Sequence, residues 1–455
     1  MWRKLSGGAV CPPRRYFASS SALFLGAVFV LGCAYLVYIP EQSDFWQIVL
    51  GYGGLFGLYA WVVSSDLRVE WWYWLVVALV ARLILLPCLP QLSDDVYRFV
   101  WDGLLQLDGI NPYIGTPTEV LDRSSYLTST LYANLNSPDY YSIYPPVAQY
   151  VFVGATYFSP DSVQGAATGM RLFIIGCELG SAFYLVRLLR HYGLPEHRVL
   201  LYALNPLIII ELTGNLHFEA VMICFLLGAW YYLLRERWVW SVLFFGLAVS
   251  SKLLPLMFLP LWWRVLGFRR VALYGLGVTV TVGLLFLPYL DAQLVAHFGE
   301  SLDLYFQRFE FNASVYYLAR WVGFRVEGYN IIGQLGPILV GAALLGILTI
   351  AYWRRAPFYL PDRLLWTIVL YLALALTVHP WYVSLPVVFC VFTEYRFPLV
   401  WSYLITLTYV NYSYGVYYEN LWVVGLEYVV VAGWAVWGII FYSKNSATGS
   451  SIVRD

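Results

Sequence analysis

The chain is 455 residues long, 60% hydrophobic and 19% aromatic, and only 12% of its residues are charged. Soluble domains carry about 25% charge, so the composition excludes that class, and 27 basic against 27 acidic side chains leave no basic surface for nucleic acid. A helix crosses a bilayer with about 20 apolar residues, and runs near that length recur throughout, which predicts a single all-α polytopic membrane domain over 1–455.

In chain order the predicted spans are 20–39, 46–64, 70–89, 170–188, 199–213, 218–234, 239–263, 271–289, 331–353, 363–378, 381–394, 397–412 and 421–442. The run 239–263 is interrupted between Ser250 and Pro255 and counts as one helix or two, for about 12 to 14 transmembrane helices. Ala22–Ile39 lacks a small-residue cleavage site and reads as a retained first helix rather than a removed signal peptide. Basic residues favour the cytoplasmic side. Arg3, Lys4, Arg14 and Arg15 therefore put the N-terminus inside, and alternation adds Arg68, Arg187, Arg190, Arg198, Arg235, Arg237, Arg264, Arg269, Arg270, Arg354, Arg355, Arg396 and Lys444. Residues 90–169, 214–217, 290–330 and 379–380 then face outward. The parity holds if Pro145–Phe158, which opens on two prolines, is re-entrant or tilted rather than crossing. The six cysteines (Cys11, Cys33, Cys88, Cys177, Cys224 and Cys390) are scattered without a CxxC pair, so neither a disulfide framework nor a zinc site is expected.

The outer loop 90–145 holds the strongest functional signal, and 290–330 forms a second outer loop. Asp94, Asp95, Arg98, Asp102 and Asp108 fall within fifteen positions of a charge-poor chain, directly after the apolar run Trp71–Pro90. Ser93 as N-cap, two aspartates near the positive end of the dipole, and Val96, Phe99, Val100, Gly103, Leu104 and Leu107 at helical spacing predict an amphipathic surface helix ended by Gly109 and Pro112. Such a helix lies on the membrane with its first-turn carboxylates at the interface. Capping needs one short polar side chain, which Ser93 supplies. Two adjacent carboxylates against an apolar wall raise one another's pKa, which suits a general base. Arg98 and Asp102 have the spacing of an ordinary helix ion pair, and Asp108, Asp122 and Asp139 read as solvated loop acids.

Residues 211–219, 291–320 and 379–382 sort to the same outer side as the Asp94/Asp95 loop, while other polar groups lie within spans. Lys252 is the one lysine inside an apolar stretch, the others being Lys4 and Lys444. Beside the helix-breaking Ser250, Ser251 and Pro255 it suits either a phosphate contact or snorkelling to an interface. Glu211, Asn215, His217 and Glu219 cluster where one span exits and the next enters, which fits substrate contact or a helical hairpin better than a metal, since no HExxH pattern is present. His379 precedes Pro380, Trp381 and Tyr382 at a similar exit and fits interfacial packing as well as catalysis. Arg82, Arg171, Glu178 and Glu427 lie within spans and either pair with one another or line a cavity.

Ser93-Asp-Asp-Val-Tyr-Arg-Phe-Val-Trp-Asp-Gly103 with Gly109-Ile-Asn-Pro-Tyr113 and Tyr144-Pro-Pro-Val-Ala-Gln149 resembles the first outer loop of GT-C superfamily glycosyltransferases that use polyprenyl-phosphate sugars. The bacterial mannosyltransferase-like and glycosyltransferase-87-like members are the most similar. Asn205-Pro206 with Glu211, Gly214, Asn215 and His217, then Ser251-Lys252-x-x-Pro255 and His379-Pro-Trp-Tyr382, resemble elements of that group in the same order, so the likeness runs over about 90–385. With no large soluble C-terminal module evident, the chain is similar to the compact members.

The resemblance implies a lipid-phosphate sugar donor taken from the bilayer and an acidic general base in the first outer loop, carried here by Asp94 or Asp95 without a choice between them. Beside them, Lys252, Arg98, Tyr144, Asn215, His217, Glu219, His379 and Tyr382 stand as donor- or substrate-binding candidates. The implied reaction moves a hexose, by resemblance mannose, from polyprenyl phosphate to a hydroxyl of a lipid or glycan acceptor, with inversion, on the outer face of a bacterial plasma membrane. The phosphate leaves already charged, so no cofactor is required and a divalent metal remains compatible. A lipid-linked sugar flippase is the alternative. Transporters favour repeated halves and polar sites in broken helices; no internal repeat is evident, and Lys252 in a broken segment is the feature that fits.

Overall fold

The computed structural model describes residues 20–65, 70–307, 309–352 and 359–447. Cys11, Arg308 and the basic residues Arg3, Lys4, Arg14, Arg15, Arg68, Arg354 and Arg355 lie outside them. The described residues are helical without a β-strand; one isolated parallel bridge joins Phe311 to Thr377. The protein is an all-α polytopic membrane protein, as its composition predicts.

Among the described residues six helices are long and apolar enough to cross a membrane: Ser20–Tyr38, Phe45–Ser64, Val163–His191, Phe268–Tyr289, Ile332–Tyr352 and Leu421–Ile440. A seventh is formed if Ile208–Gly214 and Glu219–Leu234, bent by 109° at their junction, count as one broken span. Shorter apolar helices, Trp71–Leu83, Trp238–Ser251, Leu254–Leu266 and Pro380–Cys390, occupy other ranges that hydropathy marks as spans. Counting apolar residues overstates helix continuity there, because prolines and polar turns divide the runs; the stretch 239–263 breaks at Lys252 and Leu253, inside the window its sequence indicates. Pro146–Phe158 has 13 residues. At 1.5 Å per residue it is about 20 Å long, short of a hydrocarbon core of about 30 Å.

The predicted loop helix forms over Asp95–Leu107, but not as a raft on the membrane surface. Val96, Arg98, Phe99, Val100, Trp101, Asp102, Gly103, Leu104 and Leu105 are all buried, since the helix packs against Pro146–Phe158 and Val163–His191. Gly103 permits the approach: a Cβ there would meet the carbonyl oxygen of Phe152 and Oγ1 of Thr156 at 2.7 Å each. The moment that marks an interfacial helix equally marks one that turns its apolar stripe into protein.

The charges inside spans resolve into separate partners. Arg82 pairs with Glu178 at 2.7 Å, and the Tyr202 hydroxyl donates to the same carboxylate. Arg171, fully buried, donates instead to the carbonyls of Leu86, Cys88, Thr213 and Gly214. It thereby ties the end of the 208–214 helix to the segment that leads into Asp94. Cys33, Cys88, Cys177, Cys224 and Cys390 are free and buried.

Candidate active site

Pro87 and Pro90 end the apolar run, and the loop helix starts one residue later than the capping pattern predicts. Asp94, not Ser93, takes the N-cap position, with φ −91° and ψ 0° and no side-chain cap bond. Ser93 Oγ accepts instead from the Asp95 amide at 3.4 Å. Capping therefore does not use Asp94, whose carboxylate accepts no hydrogen bond among the described residues. Asp95 accepts from Asn136 Nδ2 at 3.0 Å. Burial raises the Asp94 pKa, and the neighbouring Asp95 charge raises it further. Burial likewise raises Asp95, against the Asn136 hydrogen bond and the positive fields of Lys252 and Arg98, which lower it.

Both carboxylates line a cleft of about 350 Å³, with Arg98, Tyr140, Tyr144, Phe311 and His379 among its walls. Beneath it, buried Asp102 gathers three elements: it accepts from Arg98 Nε at 2.9 Å, from Gln149 Nε2 at 2.9 Å and, by a short contact, from Ser142 Oγ. Arg98 also donates to the carbonyls of Ser137 and Tyr140, at 3.2 and 2.8 Å. The i, i+4 pair forms as its spacing predicts, but as a buried strap holding the cleft floor. Tyr144 packs edge-on against Phe99 and Phe152. Asp108 does more than sit in water: it accepts from the Ser124 hydroxyl at 2.6 Å and the Ser125 amide at 2.9 Å.

Lys252 lies deeper, and its surroundings follow from helix ends. It is the C-cap of Trp238–Ser251, and Glu219 is the first residue of Glu219–Leu234. The two helices form a hairpin, so a cation at one helix's C-terminus meets an anion at the other's N-terminus, the arrangement each dipole favours. Lys252 Nζ sits 2.6 Å from Glu219 Oε1 and 5.6 Å from the Tyr382 ring centroid. Lys252 is thus at an end of its apolar stretch, held by a partner that sequence distance hides.

The Ile208–Gly214 segment is a π-helix, a rare form often found at functional sites. Its Glu211 accepts from the Tyr52 and Tyr409 hydroxyls at 3.2 and 2.9 Å and from Asn215 Nδ2 at 3.0 Å. His217 Nε2 is 3.8 Å from the same carboxylate. Asn215 Oδ1, His217 Nε2 and Glu219 Oε2 are buried without a hydrogen-bond partner among the described residues. Trp381 separates these groups from the cleft: its ring stacks on His217 at 3.6 Å and on His379 at 4.4 Å, and His379 stacks in turn on Phe311 at 4.7 Å. Burial, with Lys252 nearby, drives His379 toward the neutral imidazole.

Of the sequence-derived candidates, Asp94, Asp95, Arg98, Tyr144 and His379 line the cleft, whereas Asn215, His217 and Glu219 are buried behind Trp381; Lys252, partly exposed, pairs with Glu219 and lies over the Tyr382 ring. Asn136, Phe311, Trp381, Tyr409 and Tyr412 also line the cleft and escaped sequence reasoning. Only Trp381 left a signal, as the centre of His-Pro-Trp-Tyr. Among the described residues no group of three or more His, Cys, Asp or Glu side chains is arranged to hold a metal ion.

Residues 20–267 match the family model described as "Alpha-(1->6)-mannopyranosyltransferase, N-terminal domain", more than half of the chain. Similar curated proteins include alpha-(1->6)-mannopyranosyltransferase B of Corynebacterium glutamicum, 27% identical over 142 residues, or 30% of this chain and 23% of the relative. Alpha-(1->6)-mannopyranosyltransferase A of the same organism is 28% identical over 175 residues, 38% of this chain and 34% of that protein. Alpha-(1->6)-mannopyranosyltransferase A of Mycobacterium tuberculosis is 25% identical over 339 residues, 66% of this chain and 61% of the relative. The chain thus spans under two thirds of each relative's length.

Proposed function

The chain belongs to the alpha-(1->6)-mannopyranosyltransferase family, and on that footing we propose that it transfers a mannosyl residue from a polyprenyl-phosphate donor to an acceptor hydroxyl, at the outer face of the membrane. One of Asp94 and Asp95 takes the proton of the acceptor hydroxyl. The freed oxygen attacks the anomeric carbon from the face opposite the phosphate, so configuration inverts. The carbon–oxygen bond to the phosphate breaks, and its electron pair leaves with the lipid phosphate. Lys252 meets that growing negative charge, and Arg98 and Asp102 keep the cleft floor in place. A divalent cation would assist the departure without being required for it.

The observation that carries the reading is the state of the two aspartates. Adjacent, raised in pKa and facing a cleft, they include one carboxylate that no hydrogen bond occupies among the described residues. A carboxylate whose pKa is raised accepts a hydroxyl proton more readily than an ordinary one. The 109° break before Glu219 favours a second reading, flipping of the lipid-linked sugar. One experiment separates the two: purified protein is incubated with polyprenyl-phosphate mannose and mannoside acceptors, and free lipid phosphate and glycoside are followed together. Transfer yields both in equal amounts, with an α linkage from a β-linked donor. Donor scrambling across vesicles without either product supports the flippase.

A further inference from the structure

Glu427 is the only charged residue of the Leu421–Ile440 span, and it is fully buried. An acid inside a span is costly enough to suggest a role, and the transfer steps make no use of this one. Its carboxylate is met by neutral donors: Trp401 Nε1 at 2.7 Å and Asn312 Nδ2 at 3.2 and 3.3 Å. Asn312 joins that carboxylate to the cleft. It is itself buried and adopts φ 47°, a left-handed conformation that asparagine tolerates better than most residues. Its carbonyl accepts from the Tyr428 hydroxyl at 2.7 Å, and its amide donates to Glu419 by a short contact. The preceding residue, Phe311, is tied elsewhere: its amide donates to the Leu376 carbonyl at 3.0 Å, and its carbonyl accepts from the Val378 amide at 2.8 Å. The chain therefore turns at Asn312, with the Asn312 side chain on the last helix and the Phe311 ring on the cleft and on His379.

We propose that Glu427 is a positioning residue for the transfer reaction. Through Asn312 it fixes the Phe311 ring, and with it the Phe311–His379–Trp381 stack that walls the cleft of Asp94 and Asp95. The proposal rests on the glycosyl-transfer reading and adds to it a residue that does not line the cleft. The alternative role, packing of the last helix against Trp401, would leave the cleft wall unmoved when Glu427 is lost.

The test uses Glu427→Leu, Glu427→Gln, Asn312→Gly, Phe311→Ala and the double variant Glu427→Leu with Phe311→Ala, all in lipid nanodiscs beside wild type. Hydrogen exchange is followed in the peptides carrying Phe311 and Val378, with melting temperature, and kcat/KM is measured with polyprenyl-phosphate mannose and a mannoside acceptor. In Glu427→Leu, exchange in those peptides should rise and kcat/KM fall, each by about tenfold, the low end for a hydrogen bond to a charged group. Glu427→Gln should stay within about threefold of wild type. Its carbonyl still accepts, and its amide suits Asn312 Oδ1, which is buried without a partner among the described residues. The double variant should be no slower than Phe311→Ala alone, because residues acting through one another are not additive. Asn312→Gly permits the left-handed turn but cuts the link, so it should repeat Glu427→Leu. It replaces that variant in the cycle if Glu427→Leu does not fold. Faster exchange beside a wild type that transfers no mannose would keep the anchoring and discard the transfer reading. A lower melting temperature with unchanged exchange around Phe311 and Val378, or losses that add in the double variant, would overturn the proposal.

Discussion

Replacing Lys252 by methionine removes one member of a pair whose other member is sealed from water. The Lys252 side chain is 20% exposed and that of Glu219 is 0% exposed, with 2.6 Å between the charges. Stranding a buried charge in this way costs about 3–5 kcal/mol. The helix N-terminus beside Glu219 returns about 0.3–1 kcal/mol, and the partial exposure of the lysine puts its loss at the low end, so a net cost of about 2–3 kcal/mol is expected. A drop in activity of Lys252→Met alone therefore does not separate folding from donor binding. The double variant Lys252→Met with Glu219→Gln does, because it leaves no stranded charge.

The double variant should recover stability to within about 1 kcal/mol of wild type in equilibrium unfolding in detergent, since replacing both partners of a buried pair is often nearly neutral. Its donor use should stay impaired. A charge-assisted contact to phosphate contributes about 1.5–3 kcal/mol, which corresponds to about 10- to 100-fold in apparent donor affinity at saturating acceptor. If the double variant regains both stability and donor affinity, Lys252 serves only the hairpin. Arg320, which pairs with Glu310, would then be the next phosphate ligand to examine.

Asp94→Asn and Asp95→Asn keep side-chain size while removing basicity. At least one should lower turnover by about 100-fold or more, the scale of general-base catalysis, with a melting temperature equal to or above wild type. Near-normal turnover in both variants would remove the aspartates from the chemistry. The pH dependence follows from the same groups: both carboxyls titrate above their unfolded values, so kcat/KM should fall as pH drops through the raised pKa, and an acid limb at the ordinary carboxylate position would contradict the environment described. The stability sign is opposite. Between the unfolded and the raised folded pKa the native state binds more protons, so stability declines as pH rises through that window, and the Asn variants should flatten the decline. Orientation is tested with single cysteines at Ser125 and Ser446 in a cysteine-free background: an impermeant thiol reagent on intact cells should label the first and spare the second, and the reverse pattern would invert the assignment.

The sequence by itself determined the class and the place to look. Apolar runs in a chain with so few charges leave no soluble fold, and an isolated cluster of carboxylates beside such a run points to chemistry because burying unpaired acids is costly. Local rules also carried the Asp95–Leu107 helix, its Arg98–Asp102 pair and the break beside Lys252, all of which depend on neighbours within a few positions. What depends on distant partners was decided only by the tertiary structure. Hydropathy counts residues and not helix ends, so the predicted spans include short and broken helices. An amphipathic stripe reads the same whether membrane or protein covers it, so only packing buried the loop helix. Lys252 and Glu219 stand 33 positions apart in sequence and touch because two helix termini with opposite dipoles meet at the end of one hairpin. Trp381 divides the cleft from the polar layer behind it through ring contacts to His217 and His379, one of them from a distant segment of the chain. Stacking of that kind has no sequence period, so only the folded chain assembles it.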